Sequence, residues 1–270
     1  TTIVGGQDGR SAEDIAAFLR ETEQKRPRVN VATLYGHATA RTASGAGRGP
    51  ASARARDELR RRIGQAHEAG AFGLSLGLEY EPGLHADESE LAAAARATEA
   101  GGGLVMAHLR SEDDDDIVKS IDELLALGSH AKRLHVAHLK IVLGRGEARA
   151  EALLERLSEG RKRGLEVSAD LYPYTASYTT LGILFPEGAK TDEGAARMKQ
   201  RDAAGLLRHL RERVNARNGP EATLLGTGDQ AGKTLAELAA QRGVPFEQIL
   251  YELGPRGGSA AYFVMDEAVM

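Results

Sequence analysis

The chain has 270 residues, 41% of them hydrophobic, a formal net charge of −4 and no cysteine. That is enough apolar sequence for one large core or two small ones, and it excludes a disulfide framework and a thiolate metal site. There is no basic excess to attract nucleic acid, no apolar run near the roughly 20 residues that a membrane-spanning helix needs, and no signal-peptide pattern, so a cytoplasmic location is the expectation.

Strand-like and helix-like runs alternate from the start. The β-branched run "TTIVGG" reads as a first strand, followed by a helix over 12–25 with Ser11 as its N-cap. "VNVATLYG" is a second strand and "ARDELRRRIGQAHEAG" a helix that stops at Gly70. The basic run from Arg54 to Arg62 is interrupted by Asp57 and Glu58 and reads as a solvated helix face. Then come "FGLSLG", a helix over 87–102, "LVMAH", and a helix over 111–128 capped by Ser111. "RLHVAHLK", a helix over 147–164 and "LEVSADLY" complete the series. The apolar runs are short, without two-fold alternation, and separated by helices, which is the pattern of parallel β/α units buried on both faces. Six such units predict a (β/α) barrel of the TIM type, with a doubly wound open sheet as the alternative.

The remainder reads differently. It holds a long charged helix over 195–217, a short strand "ATLLG", and two helices over 233–243 and 245–254. The stretch "GTGDQAGKT" from Gly226 to Thr234 has the wrong spacing for a phosphate-binding P-loop and only loosely fits a dinucleotide fingerprint.

In a β/α barrel the chemistry sits where strands end. That rim collects Asp8, His37, Glu79, Tyr80, His108, Arg110, His138, Lys140, Asp170, Tyr172 and Tyr174. The set suits a divalent metal and a polar substrate, although a strand-end histidine serves equally well as a structural hydrogen-bonder. His135, three residues before His138, should point to the opposite face. His67, His85, His130 and His209 fall in helices or loops and are expected at the surface. The acidic run Asp113 to Asp116 lacks the alternation of a calcium loop and is read as the first turn of a helix.

The segments "TTIVGGQDG", "VATLYGHATAR", "GAFGLSLGLEYEPG", "AHLRSE", "HVAHLK", "ADLYPYTAS" and "SAAYFVMDEAVM" together resemble the N-acyl-D-amino-acid deacylases of the amidohydrolase superfamily. The resemblance implies a metal-dependent (β/α)8 barrel that hydrolyses amide bonds of a small-molecule substrate, with zinc or another divalent ion as cofactor and no nucleic-acid or membrane partner; a homo-oligomer is compatible with it. It implies His108 and His138 as metal ligands, their nitrogens about 3–4 Å apart for a tetrahedral ion. Asp8 stands where the family usually carries a ligating cysteine. Tyr80, Arg110, Lys140, Tyr172 and Ser177 are implied at the substrate. The His-x-His pair of the family would lie before residue 1 and its general-base Asp beyond Met270. Residues 1–270 are thus expected to be one barrel domain holding strands two to seven, open on one side, with the family's β-sandwich and strands one and eight outside it. A cyclic-amide hydrolase of the dihydroorotase or hydantoinase type and a non-catalytic barrel fragment remain the alternatives.

Overall fold

A computed structural model describes residues 1–269. By internal packing they form two compact units, Thr1–Ile141 with Glu147–Tyr172, and Val142–Gly146 with the residues from Pro173 onward.

The first unit contains β1 (Thr2–Gly5), α1 (Ile15–Lys25), β2 (Asn30–Gly36), α2 (His37–Ala43), α3 (Ala53–Glu68), β3 (Gly73–Gly77), α4 (Glu88–Ala100), β4 (Leu104–His108), α5 (Ile117–Ala126), β5 (Arg133–Val136), α6 (Glu147–Lys162) and β6 (Glu166–Ala169). The six strands form one sheet in the order β1-β2-β3-β4-β5-β6, and every neighbouring pair is parallel. Sequential order with uniform crossovers puts the helices on one face of the sheet. The strand side chains turned to them, including Tyr35, Leu74, Leu76, Val105, Leu134 and Val136, are buried, each contributing about 1.5–3 kcal/mol by removal from water. The opposite face is sparse: Gly36, Ser75, Met106, His135 and Ser168 lie side by side by register. The sheet is a curled half-barrel, and β1 and β6 are its two edges. All six strands therefore stand where the sequence pattern puts them.

Two helix starts differ from expectation. The N-cap of α1 is Asp14, whose carboxylate accepts from the Ala17 amide at 2.8 Å. Ser11 instead accepts from the Gly36 amide at 2.9 Å and ties the loop after β1 to the end of β2. Helix α5 begins at Ile117, so the acidic run Asp113–Asp116 is a turn before the helix and not its first turn. Its charges are met by side chains instead: Asp114 pairs with Arg149 and Asp116 with Lys119.

The second unit contains β7 (Ala176–Thr180), α7 (Asp192–Ala216), β8 (Thr223–Leu225), α8 (Leu235–Arg242), α9 (Phe246–Leu253) and β9 (Ser259–Phe263). Its three strands form an antiparallel sheet in the order β7-β9-β8. Leu184, Phe185, Leu206, Leu210, Leu250 and Tyr262 are central to its core. Helix α7 kinks at Asp202, whose backbone leaves helical angles while its carboxylate accepts from the Gly205 amide at 2.8 Å. Gly226–Thr234 is the connection from β8 to α8, and it ends in a capping box between Thr234 and Glu237. Among the described residues no helix is long and apolar enough to cross a membrane.

Candidate metal centre

The loop after β1 places Asp8. Gly6, Asp8 and Gly9 all adopt positive φ, 78°, 56° and 78°; aspartate is one of the few side chains that enters this region at modest cost. The loop is pinned to β3, where Ser75 Oγ donates to the Gly6 carbonyl at 2.5 Å and accepts from the Gly9 amide at 3.1 Å. Gly36 and Gly77 carry no side chain because a Cβ there would run into the backbone of Gly9 and Asp8. Two glycine-lined contacts thus seat the backbone of the Asp8 loop against the ends of β2 and β3.

His108 is the last residue of β4. His138 lies two residues beyond β5 with φ 38°, a turn held by Asp170: its carboxylate accepts from the His138 amide, and its carbonyl from the Leu139 amide at 2.7 Å. That backward turn swings the His138 ring onto His108. Nδ1 of His108 and Nε2 of His138 are 2.8 Å apart, with ring centroids 4.5 Å apart and planes at 75°. Asp8 Oδ1 stands 3.7 Å from the first nitrogen and 3.4 Å from the second, and it is buried without a hydrogen-bond partner. The nitrogens approach closer than the 3–4 Å expected from tetrahedral geometry, at hydrogen-bond distance, so a proton shared between them must leave when a cation enters.

Further carboxylates surround the pair. Nε2 of His108 is 3.1 Å from Glu79 Oε2. Nδ1 of His138 is 2.9 Å from Glu112 Oε1 and 3.0 Å from Lys140 Nζ, and Lys140 is 2.5 Å from Glu112 Oε2. The charges reshape each other. Burial opposes ionisation of Asp8, but the two imidazoles outweigh it and hold its carboxyl well below the usual range. Burial would likewise lower His108, yet Asp8, Glu79 and Glu112 together raise it to about 9. Glu112 falls to about 2 despite burial, because His138, His108 and Lys140 favour its charge. His138 is lowered by burial and by Lys140, but Asp8 and Glu112 outweigh both and raise it.

The structure joins some expected residues and separates others. Tyr80 stacks on His108 at 4.5 Å between centroids, tilted by 44°. Lys140 lies 5.7 Å from the centre of the Tyr172 ring, whose hydroxyl is kept protonated by burial and the nearby Glu112 charge. Arg110 turns away: it forks onto Glu123 and donates to the carbonyls of Leu84 and Ala86, bracing the segment after β3. Ser177 belongs to β7 of the second unit, where its Oγ is buried with no hydrogen-bond partner. His37 is buried against Glu90 and takes no part in the cluster. His135 was expected on the opposite face. It pairs in register with Met106, two residues before His108, so it shares the face of His108. Its Nε2 meets Asp170 at 3.0 Å. The period of two fails because the strand ends at Val136 and the turn at His138 resets the direction. His67, His85, His130 and His209 are half-buried rather than exposed; His67 packs beneath Gly101 and Gly103, and His85 pairs with Glu81. Glu112 was missed at the site although it ends the motif "AHLRSE", and Glu79 was placed at the rim without a role.

Among the described residues, two groups of ligand atoms are close enough for one ion, Asp8/His108/His138 and Glu79/His108/Glu112. A carboxylate with two imidazoles is a zinc-type donor set, and tetrahedral coordination places such ligand atoms about 3.3 Å apart. The 2.8, 3.4 and 3.7 Å separations bracket that spacing, so the residues fit a divalent ion.

No protein-family model matches the chain. It is 34% identical over 258 residues to an N-acyl-D-glutamate deacylase of Alcaligenes xylosoxydans xylosoxydans, across 94% of this chain and 46% of the relative. The chain is thus similar in sequence to an N-acyl-D-amino-acid deacylase. An N-acyl-D-aspartate deacylase of the same organism is 30% identical over 254 residues, across 93% of this chain and 45% of that deacylase. The crystal structure of the Bordetella bronchiseptica N-acyl-D-glutamate deacylase, complexed with zinc and a phosphonate mimic of the tetrahedral intermediate, matches with a TM-score of 0.80 at 27% identity. That match covers 100% of this chain and 56% of the deacylase. The chain thus spans about half the length of the deacylases it matches.

Proposed function

We propose that this chain supplies the metal-binding side of a (β/α)-barrel amidohydrolase that removes the N-acyl group from a D-amino acid. The observation that carries the reading is the convergence of Asp8 Oδ1, His108 Nδ1 and His138 Nε2 from the ends of three parallel strands. The similarity to deacylases along 94% of the chain supports the same reaction class. Asp8, His108 and His138 would hold the ion. When bound, a divalent cation such as zinc supplies a Lewis acid that polarises an amide carbonyl and lowers the pKa of a water.

The remaining roles belong to the protein's own groups. Lys140 brings an ammonium, and Tyr172 a protonated hydroxyl, to the same strand ends; together they suit the carboxylate of an N-acyl amino acid. Tyr80 covers the ring of His108 and limits water at its face. Arg110, committed to Glu123, shapes the wall rather than reaching substrate.

The test is release of free D-amino acid from N-acetyl-D-glutamate and N-acetyl-D-aspartate by the zinc-loaded protein carrying this chain, with the L enantiomers as controls. Turnover of the D substrates that disappears with Asp8→Ala is the expected result. Turnover of the L substrates alone, or of a cyclic amide in place of either, overturns the reading.

A further inference from the structure

The two candidate ligand groups share His108, and a neutral imidazole has only one bare nitrogen, the other carrying a proton. Both groups cannot hold a cation through that ring at once, so the surroundings of His108 must select one. Nδ1 faces Asp8 and His138, and Nε2 faces Glu79. The ring itself is almost fully buried, so its N–H needs an acceptor within the protein.

We propose that Glu79 is a positioning residue, not a ligand: it accepts the Nε2–H of His108 and so presents Nδ1 as the bare nitrogen toward Asp8 and His138. This rests on the metal reading above and assigns how that site is oriented. Three observations support it. Glu79 Oε2 is 3.1 Å from Nε2. Gly77 pairs in register with His108, and the Leu78 amide donates to the His108 carbonyl at 3.2 Å. The segment carrying Glu79 is therefore fastened to the strand end it serves. Tyr80, the next residue, packs on the face of the same ring, so consecutive side chains hold its edge and its face. His138 has no such dedicated partner. Its Nδ1 lies between Glu112 and Lys140, which are also paired with each other. Outer carboxylates of this kind orient metal-bound imidazoles and are worth 10–100-fold in metal affinity.

The experiment compares wild type with Glu79→Gln, Glu79→Ala and Asp8→Ala, using zinc alone as the probe. Zinc affinity is measured by chelator competition, stoichiometry by metal analysis, and the ring nitrogens of His108 by long-range 1H–15N spectra of the zinc-loaded protein. The expected result is an unchanged stoichiometry, affinity lowered about tenfold to hundredfold in Glu79→Ala and less in Glu79→Gln, which keeps an acceptor oxygen. In wild type the spectra should show zinc on Nδ1 and a proton on Nε2. A merely structural role would leave the His108 nitrogen signals unchanged in Glu79→Gln. Equal affinity in all Glu79 variants, loss of a whole zinc in them, or zinc on Nε2 overturns the proposal. If Asp8→Ala weakens zinc and Glu79→Ala does not, only the role of Glu79 fails; if Asp8→Ala binds zinc as wild type does, the metal reading itself fails. Glu79→Gln, of nearly the same shape, carries the test should the alanine variant not fold.

Discussion

His37 and His108 occupy comparable places, one directly after β2 and the other at the end of β4, both buried and both with Nε2 turned to a glutamate. Around His37 the charges close on themselves. Glu90 meets His37 at 2.8 Å and also binds Arg41, which donates onward to the carbonyls of Gly47 and Gly49. One carboxylate faces one guanidinium, so the charges balance, although His37 Nδ1 and Arg41 Nε are left without a hydrogen-bond partner. Around His108 and His138 the carboxylates of Asp8, Glu79 and Glu112 face the single ammonium of Lys140. Once a cation displaces the imidazole protons, three negative charges against one positive leave two for it to compensate, gathered around converging lone pairs. A buried histidine–glutamate contact is therefore no sign of a site by itself; several carboxylates gathered around converging imidazole nitrogens are.

The sharpest way to break this comparison is to open the closed cluster. Glu90→Ala leaves the Arg41 guanidinium buried and unpaired, which should cost about 3–5 kcal/mol of stability; chemical denaturation reads it, and a loss under about 1 kcal/mol would show that the cluster is not structural. Asp8→Ala should do the reverse, leaving the fold intact while zinc affinity falls on the order of a hundredfold, about 2.7 kcal/mol. Isothermal titration with zinc, beside a melting curve, distinguishes the two behaviours. Gly77→Ala joins both effects: its Cβ would collide with the Asp8 carbonyl, costing about 1–3 kcal/mol by overpacking. It should also displace the carboxylate, so zinc affinity falls although no ligand is altered.

The smallest effect is in pH. Burial raises the pKa of Glu90, but His37 and Arg41 lower it further, so its folded value lies below its ordinary 4.5. Its contribution to stability is therefore fully present above pH 4.5 and is lost as pH falls through the folded value. Wild type and Glu90→Gln should differ most near neutrality and converge in acid. A gap that stays constant between pH 6 and pH 3 would remove the charge from the explanation.

Much of this protein is written locally in its sequence. The six parallel strands follow from short apolar runs separated by helical periods, and both depend on neighbours a few residues away. The ends of β4 and β5 likewise marked His108 and His138, and the "QDG" turn marked Asp8. What the tertiary structure decided is direction and partnership. His135 shares the face of His108 while His138 still reaches it, because the chain turns at φ 38° under the hold of Asp170, 32 residues away. His37 becomes structural because Glu90, 53 residues later, reaches it first. Strand β7 was not visible because "ASYTT" is polar, and its pairing with β9 comes from far along the chain. Glu79 and Glu112 acquire roles only where neighbouring strand ends bring their carboxylates to a shared pair of rings. Local pattern determines which segments become strands and helices; the lone pairs, protons and charges that meet at their ends depend on contacts between segments that no short stretch of sequence contains.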